Sequence, residues 1–197
     1  MITIKKTSCP KGAKILKTGQ TTSYRTGDDG DLEKGRATDF FTLESNNPFS
    51  NTNRFTDELG GQDYTNNIII DWTTYEGSEV LGYYNGDMTT DRDWNTAIDW
   101  GLALSVGTFT SGWRLTNINE LTNLMLGGNS APSGSPSTRW SPLNANGLFV
   151  SSTTVWYLTT SAVYINSNYS AVGSTAKTNG RKTLACRDFT VTGTTLT

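Results

Sequence analysis

Asp28, Asp29 and Asp31 fall within four positions of one another in Thr26-Gly27-Asp28-Asp29-Gly30-Asp31. Clustered carboxylate oxygens suit a hard cation such as calcium, which would be the only cofactor. The segment lacks the rest of an EF-hand loop, including its closing Glu, and Asp and Gly are also ordinary turn residues. Asp87, Asp91 and Asp93 make a second acidic group, in which Asp93 is better placed to cap the helix that follows. There is no histidine. That removes the usual general base, the Ser-His-Asp and Cys-His nucleophile systems, and imidazole metal sites. No paired carboxylates are legible, so no catalytic residue is assigned and a non-enzymatic role is expected.

The two cysteines, Cys9 and Cys186, are too few for a disulfide framework or a four-cysteine zinc site. A bond between them and two free thiols both remain open. Trp113-Arg114 could clamp a ligand by stacking and charge. A Trp at a strand end followed by Leu115 reads better as core, with the Arg holding a loop or a carboxylate. The better binding candidates lie between 144 and 181, where Asn144, Asn146, Tyr157, Tyr164, Asn166, Asn168, Tyr169 and Ser170 are of the adaptable types used in antibody loops.

These residues need elements to position them. Tyr64–Trp72, with three consecutive Ile, predicts a buried strand. From Asp93 the spacing predicts a helix with Trp94, Ala97, Ile98, Gly101 and Leu102 on one face. Asn117 and Glu120 have capping-box spacing for a second helix, with Leu121, Leu124 and Met125 as its buried side. Three strands are expected at Thr153–Leu158, Ala162–Ile165 and Lys182–Arg187, while 76–92 and 129–137 read as loops. The layout is α+β: strands, two short helices, then a strand meander.

The chain has 197 residues, 35% of them hydrophobic, with six Trp, eight Tyr and seven Phe to build a core. Net charge is −2, which gives nucleic-acid binding little support. Residues 1–17 hold Lys5, Lys6, Lys11, Lys14 and Lys17 and no acid, leaving 11 basic and 18 acidic residues, a net of −7, in the remainder. This basic arm is either solvated or docks on an acidic partner. A domain at 18–189 and a weakly structured tail at 190–197 complete the division. No signal peptide and no membrane span are legible. No heptads drive a trimer, and homo-oligomerisation stays open.

Several motifs in order resemble the Lcl C-terminal-like domain family of bacterial surface and phage proteins, over about residues 16–189. They are KTGQTTSY with GDDGDL, RFTD with DW, DWNTAIDWGLAL, GWRLTNINELTNLM, and the closing WS, SSTTVWYL and LACRDF. Thr116 stands where that family usually has Pro. The resemblance implies a C-type lectin-like fold, with two short helices, a small twisted and mostly antiparallel sheet, and long loops. It also implies a display scaffold that binds through loops and closing strands, a region diversified for ligand choice in some lectin-like proteins. The expectation is a bacteriophage virion protein at the particle surface. It would attach to a host-surface glycan or protein, or decorate head or tail, with the arm contacting other virion proteins. A secreted bacterial adhesin domain, extracellular or on the cell surface, is the alternative; an enzyme on a formylglycine-generating-like fold is the remote third reading, as its reactive cysteine pair has no counterpart here.

Overall fold

Among the described residues, nine strands and two helices follow one another as β1 (Phe55–Thr56), β2 (Ile68–Glu76), β3 (Glu79–Tyr84), α1 (Trp94–Ala103), β4 (Arg114–Leu115), α2 (Ile118–Leu126), β5 (Leu148–Val155), β6 (Leu158–Asn166), β7 (Ala171–Ala176), β8 (Ala185–Thr192) and β9 (Thr195–Leu196). They come from a computed structural model that describes residue 48 and residues 54–61, 68–76, 78–126, 147–169 and 171–197. These residues are mixed α+β, with two helices and mostly antiparallel sheets among them, as the sequence predicts.

The larger sheet has the order β1-β2-β3-β8-β4, and β9 pairs with β8. Alternation along its central strands sends side chains into two clusters, while Leu115 of β4 joins a third with Ala97 of α1 and Val150 and Ala162 of the smaller sheet. Ile69, Leu81, Tyr83 and Cys186 share one cluster with Leu121 and Leu124 of α2 and with Phe149 and Ile165 of the smaller sheet. Ile68, Ile70, Trp72, Val80, Trp113, Phe189 and Leu196 share the other. Because Ile68 to Ile70 are covered on both faces, three consecutive apolar residues are needed there, and all three are buried.

The smaller sheet is β5-β6-β7. A short stretch before β8 joins it to the larger one. Lys182 accepts from the Val150 N–H (3.0 Å) and donates to the Leu148 carbonyl (3.0 Å), forming a parallel bridge beside Phe149. Thr116 donates to the Leu184 carbonyl (3.0 Å) and accepts from the Ser152 N–H (2.8 Å).

Both helices begin as the local sequence dictates. Asp93 accepts the Asn95 and Thr96 N–H groups at 3.0 and 3.1 Å, capping α1. Asn117 and Glu120 exchange side-chain-to-backbone bonds of 3.0 and 2.8 Å, a complete capping box. Leu121 and Leu124 are buried as predicted. The α1 face is largely as predicted: Ala97 and Gly101 are buried, and Trp94 and Ile98 pack against the cluster of Ala97, Leu115 and Val150. Leu102 is the exception, 65% exposed, while Trp100 packs against Tyr84. Helix and β4 approach so closely that a Cβ on Gly101 would lie 2.7 Å from the Leu115 nitrogen.

Other expectations are corrected. The run 76–92, read as loop, contains β3 at the centre of the sheet. The strand predicted over 153–158 is broken by a turn at Trp156-Tyr157, and β7 falls where no strand is expected. Residues 190–197 are ordered: β8 runs to Thr192, β9 folds back on it, and Leu196 is buried.

Candidate ligand-binding surface

β5 and β6 form a hairpin whose last pair is Val155 opposite Leu158, leaving Trp156 and Tyr157 as a two-residue turn. The pairing shifts register twice near this end, between Val150 and Thr154 and again before Val155. Such bulges sharpen the local twist and re-aim the side chains beyond them. Here the residues beyond are two aromatics, Trp156 at 88% and Tyr157 at 69% exposure, their rings edge-to-face at 5.1 Å and 81°. Leu158 beside them is also exposed. Neighbouring apolar side chains standing in water mark a contact surface more often than a packing error.

The far end of β6 is built differently. Ser167 Oγ accepts from the Gly147 N–H (2.7 Å) and donates to the Gly147 carbonyl (3.0 Å). Asn166 Oδ1 accepts from the Asn168 N–H at 3.0 Å, closing the turn that presents Asn168 and Tyr169. Tyr169 is 79% exposed. Midway, Tyr164 faces Gly173 across the ladder, and a Cβ on Gly173 would come 2.7 Å from the Tyr164 ring. Gly173 is the space in which that ring lies.

The predicted binding residues therefore separate into three groups. Tyr157, Asn168 and Tyr169 are exposed and available, Tyr164 is half-buried against Gly173, and Asn166 holds a turn. Asn144, Asn146 and Ser170 lie outside the described residues. Tyr157 and Tyr169 do not meet. They sit at opposite ends of the nine-residue β6, which at ~3.4 Å per residue is about 27 Å long. Trp156 is the residue that sequence reasoning passes over. Its neighbours Val155, Tyr157 and Leu158 are all strand formers, and no Gly, Asn or Pro announces the turn.

Trp113 and Arg114 are scaffold. Trp113 is 2% exposed, donates to the Phe109 carbonyl at 2.9 Å, and meets Phe189 and Tyr84 edge-on. Arg114 grips Glu120 with two bonds of 2.8 and 2.7 Å and donates to Cys186 Sγ at 3.0 Å. Burial, with the Glu120 carboxylate adding to it, pushes the Cys186 thiol well above its ordinary value, so this thiol is inert at neutral pH. Cys9 lies outside the described residues.

Of the acidic groups, Asp28, Asp29 and Asp31 lie outside the described residues. Asp87 pairs with Arg92 and accepts from the Thr90 hydroxyl, and Asp93 caps α1. Among the described residues no three His, Cys, Asp or Glu side chains gather as metal ligands, and no helix is long and apolar enough to cross a membrane. A cavity of about 310 Å³ is lined by Thr74, Glu79, Leu81, Glu120 and Asp188, and one of about 470 Å³ by Ile68, Val106, Phe109 and Leu196 among others.

No protein-family model matches the sequence, and no curated protein matches it.

Proposed function

We propose that this chain is a non-enzymatic display protein of a bacteriophage virion, carrying a C-type lectin-like domain similar to the Lcl C-terminal-like family. It attaches to a host-surface glycan through the tip of the β5–β6 hairpin. The observation that carries this reading is the Trp156–Tyr157 pair, two exposed rings set at 81° on a two-residue turn. Aromatic faces offer a broad apolar surface to the C–H side of a sugar ring, and the Tyr hydroxyl adds a polar handle. The two rings touch edge to face, so they form one continuous apolar platform on which a sugar ring can stack. The two helices, the small antiparallel sheets and the location of the tip in the closing half of the chain support the lectin-like assignment. The lysine-rich arm at 1–17 is the part that docks on the particle.

Binding to host cells and to a glycan array tests the tip. Trp156→Ala and Tyr157→Ala should each lower binding at least tenfold with an unchanged melting temperature. Wild-type binding by both variants would overturn the site. Retained cell binding with a blank array would replace the glycan with a protein receptor. Mass spectrometry of purified virions that lack the chain would overturn the virion assignment.

A further inference from the structure

β7 is the outer strand of the smaller sheet. It pairs with β6 through six consecutive residues, from Ser161 opposite Ala176 to Asn166 opposite Ala171, without a bulge. Among the described residues no strand pairs with its other edge. The phase of the ladder identifies what that edge offers. The Lys177 N–H donates to the Thr160 carbonyl at 2.9 Å. In an antiparallel ladder alternate residues face the partner, so Ala171, Gly173 and Thr175 bond to β6, while Val172, Ser174 and Ala176 turn their backbone groups outward. The Ala176 carbonyl agrees with this phase, since it accepts from the Asn179 N–H (3.0 Å) rather than from β6.

Natural edge strands are guarded by charge, proline, a bulge or a covering element. Ala171-Val172-Gly173-Ser174-Thr175-Ala176 has no charge and no proline, and its pairing has no bulge. Val172 is 56% exposed, and Ser174 and Ala176 are exposed beside it. The nearest cation in sequence, Lys177, is drawn away: its ammonium sits 3.7 Å from the centre of the Trp94 ring.

We propose that β7 is a self-association edge, at which a second copy of this chain adds its own β7 antiparallel to the first, with Ser174 on the two-fold axis. The outward set 172, 174 and 176 is symmetric about Ser174, so this is the register in which all three outward residues of β7 find outward partners within the strand. Ser174 meets Ser174 of the second copy and exchanges two bonds with it. Val172 meets Ala176, a large side chain against a small one, twice by symmetry. The uncharged edge also lets two copies of a chain of net charge −2 meet without like charges opposed at the contact. The result is one continuous sheet with the order β5-β6-β7-β7-β6-β5. A single strand pair is a small interface, so association is weak and concentration-dependent. This inference is independent of the glycan reading.

Sedimentation equilibrium of the full chain over rising concentration is the test. Wild type should move from the one-chain mass towards the two-chain mass. Ser174→Pro removes an outward N–H and leaves the β6 ladder whole, so it should stay at the one-chain mass with the wild-type circular dichroism spectrum. Val172→Lys puts a charge on the same edge, should behave alike, and decides the matter if the proline variant does not fold. In a Cys9→Ser background, Ser174→Cys should form a disulfide-linked dimer on mild oxidation. A wild-type chain of one-chain mass at every concentration would overturn the proposal, even if an extended peptide binds the edge. So would a dimer that persists in Val172→Lys, which would place the contact on another surface.

Discussion

Arg114 and Glu120 face each other across six residues in a two-pronged ion pair, Nη2 to Oε1 at 2.7 Å and Nη1 to Oε2 at 2.8 Å. The same Glu120 carboxylate accepts the Asn117 N–H and lies 3.4 Å from Cys186 Sγ. One side chain thus closes the first turn of α2, anchors β4 and touches β8.

This pairing gives stability a pH dependence of definite sign. Burial alone would raise the Glu120 carboxyl; the Arg114 guanidinium and the Asn117 N–H outweigh it and hold the group below its ordinary 4.5. A carboxyl depressed in the folded state contributes stability that is complete above the unfolded value and lost as pH falls through the folded one. Melting temperature should therefore drop as pH falls below about 4.5. Glu120→Gln should start lower at neutral pH and fall less steeply; Asp87, whose carboxyl is also lowered, leaves part of the slope in place. An unchanged slope in Glu120→Gln would remove this residue from the account.

Trp113→Ala should unfold the domain rather than selectively abolish binding. Removing a fully buried Trp costs about 3–5 kcal/mol, a large share of a typical domain's stability. Urea denaturation should show a midpoint far below wild type or no cooperative transition. A stable variant that has lost only binding would return Trp113 to the ligand surface.

Gly101→Ala should destabilise, although Ala is the better helix former by about 1 kcal/mol. The new Cβ would lie 2.7 Å from a backbone nitrogen of β4 and 3.0 Å from the Arg114 carbonyl carbon, and neither is a flexible side-chain end that can step aside. Calorimetry should record a lower melting temperature; a rise would mean that α1 can move off β4.

Arg54 and Asp71 form a buried ion pair, with Nη2 2.7 Å from Oδ2 and side chains 3% and 0% exposed. Asp71→Ala removes the buried carboxylate that accepts two of the Arg54 guanidinium bonds and should cost about 3–5 kcal/mol. Replacing both residues by apolar ones should cost less than that single change. Chemical denaturation of the single and double variants checks the order.

Local signals explain what was legible. The Asp93 cap and the Asn117–Glu120 box act over three residues and can be read directly, and three adjacent Ile residues announce a strand covered on both faces. The misreadings share a cause, which is that tertiary partners decide. β3 contains Gly82 because a Cβ there would come 2.5 Å from the Phe189 ring, so the composition resembles loop while the position is central. β7 is built of small residues that fit only because β6 supplies the ladder and Tyr164 fills Gly173. The Trp156-Tyr157 turn inverts the usual chemistry of turns, and no propensity could point to it. Of the proposed binding surface, Tyr157 is legible in the sequence and its more exposed neighbour is not.

β8 lies between β3 and β4, although more than sixty residues of chain separate it from either end of that gap. During synthesis β3 and β4 are complete long before the strand that joins them leaves the ribosome. A chain halted before Ala185 lacks the strand through which β3 and β4 are joined, so the larger sheet stays incomplete and the β8-facing edge of β3 stays unpaired until that late segment is made.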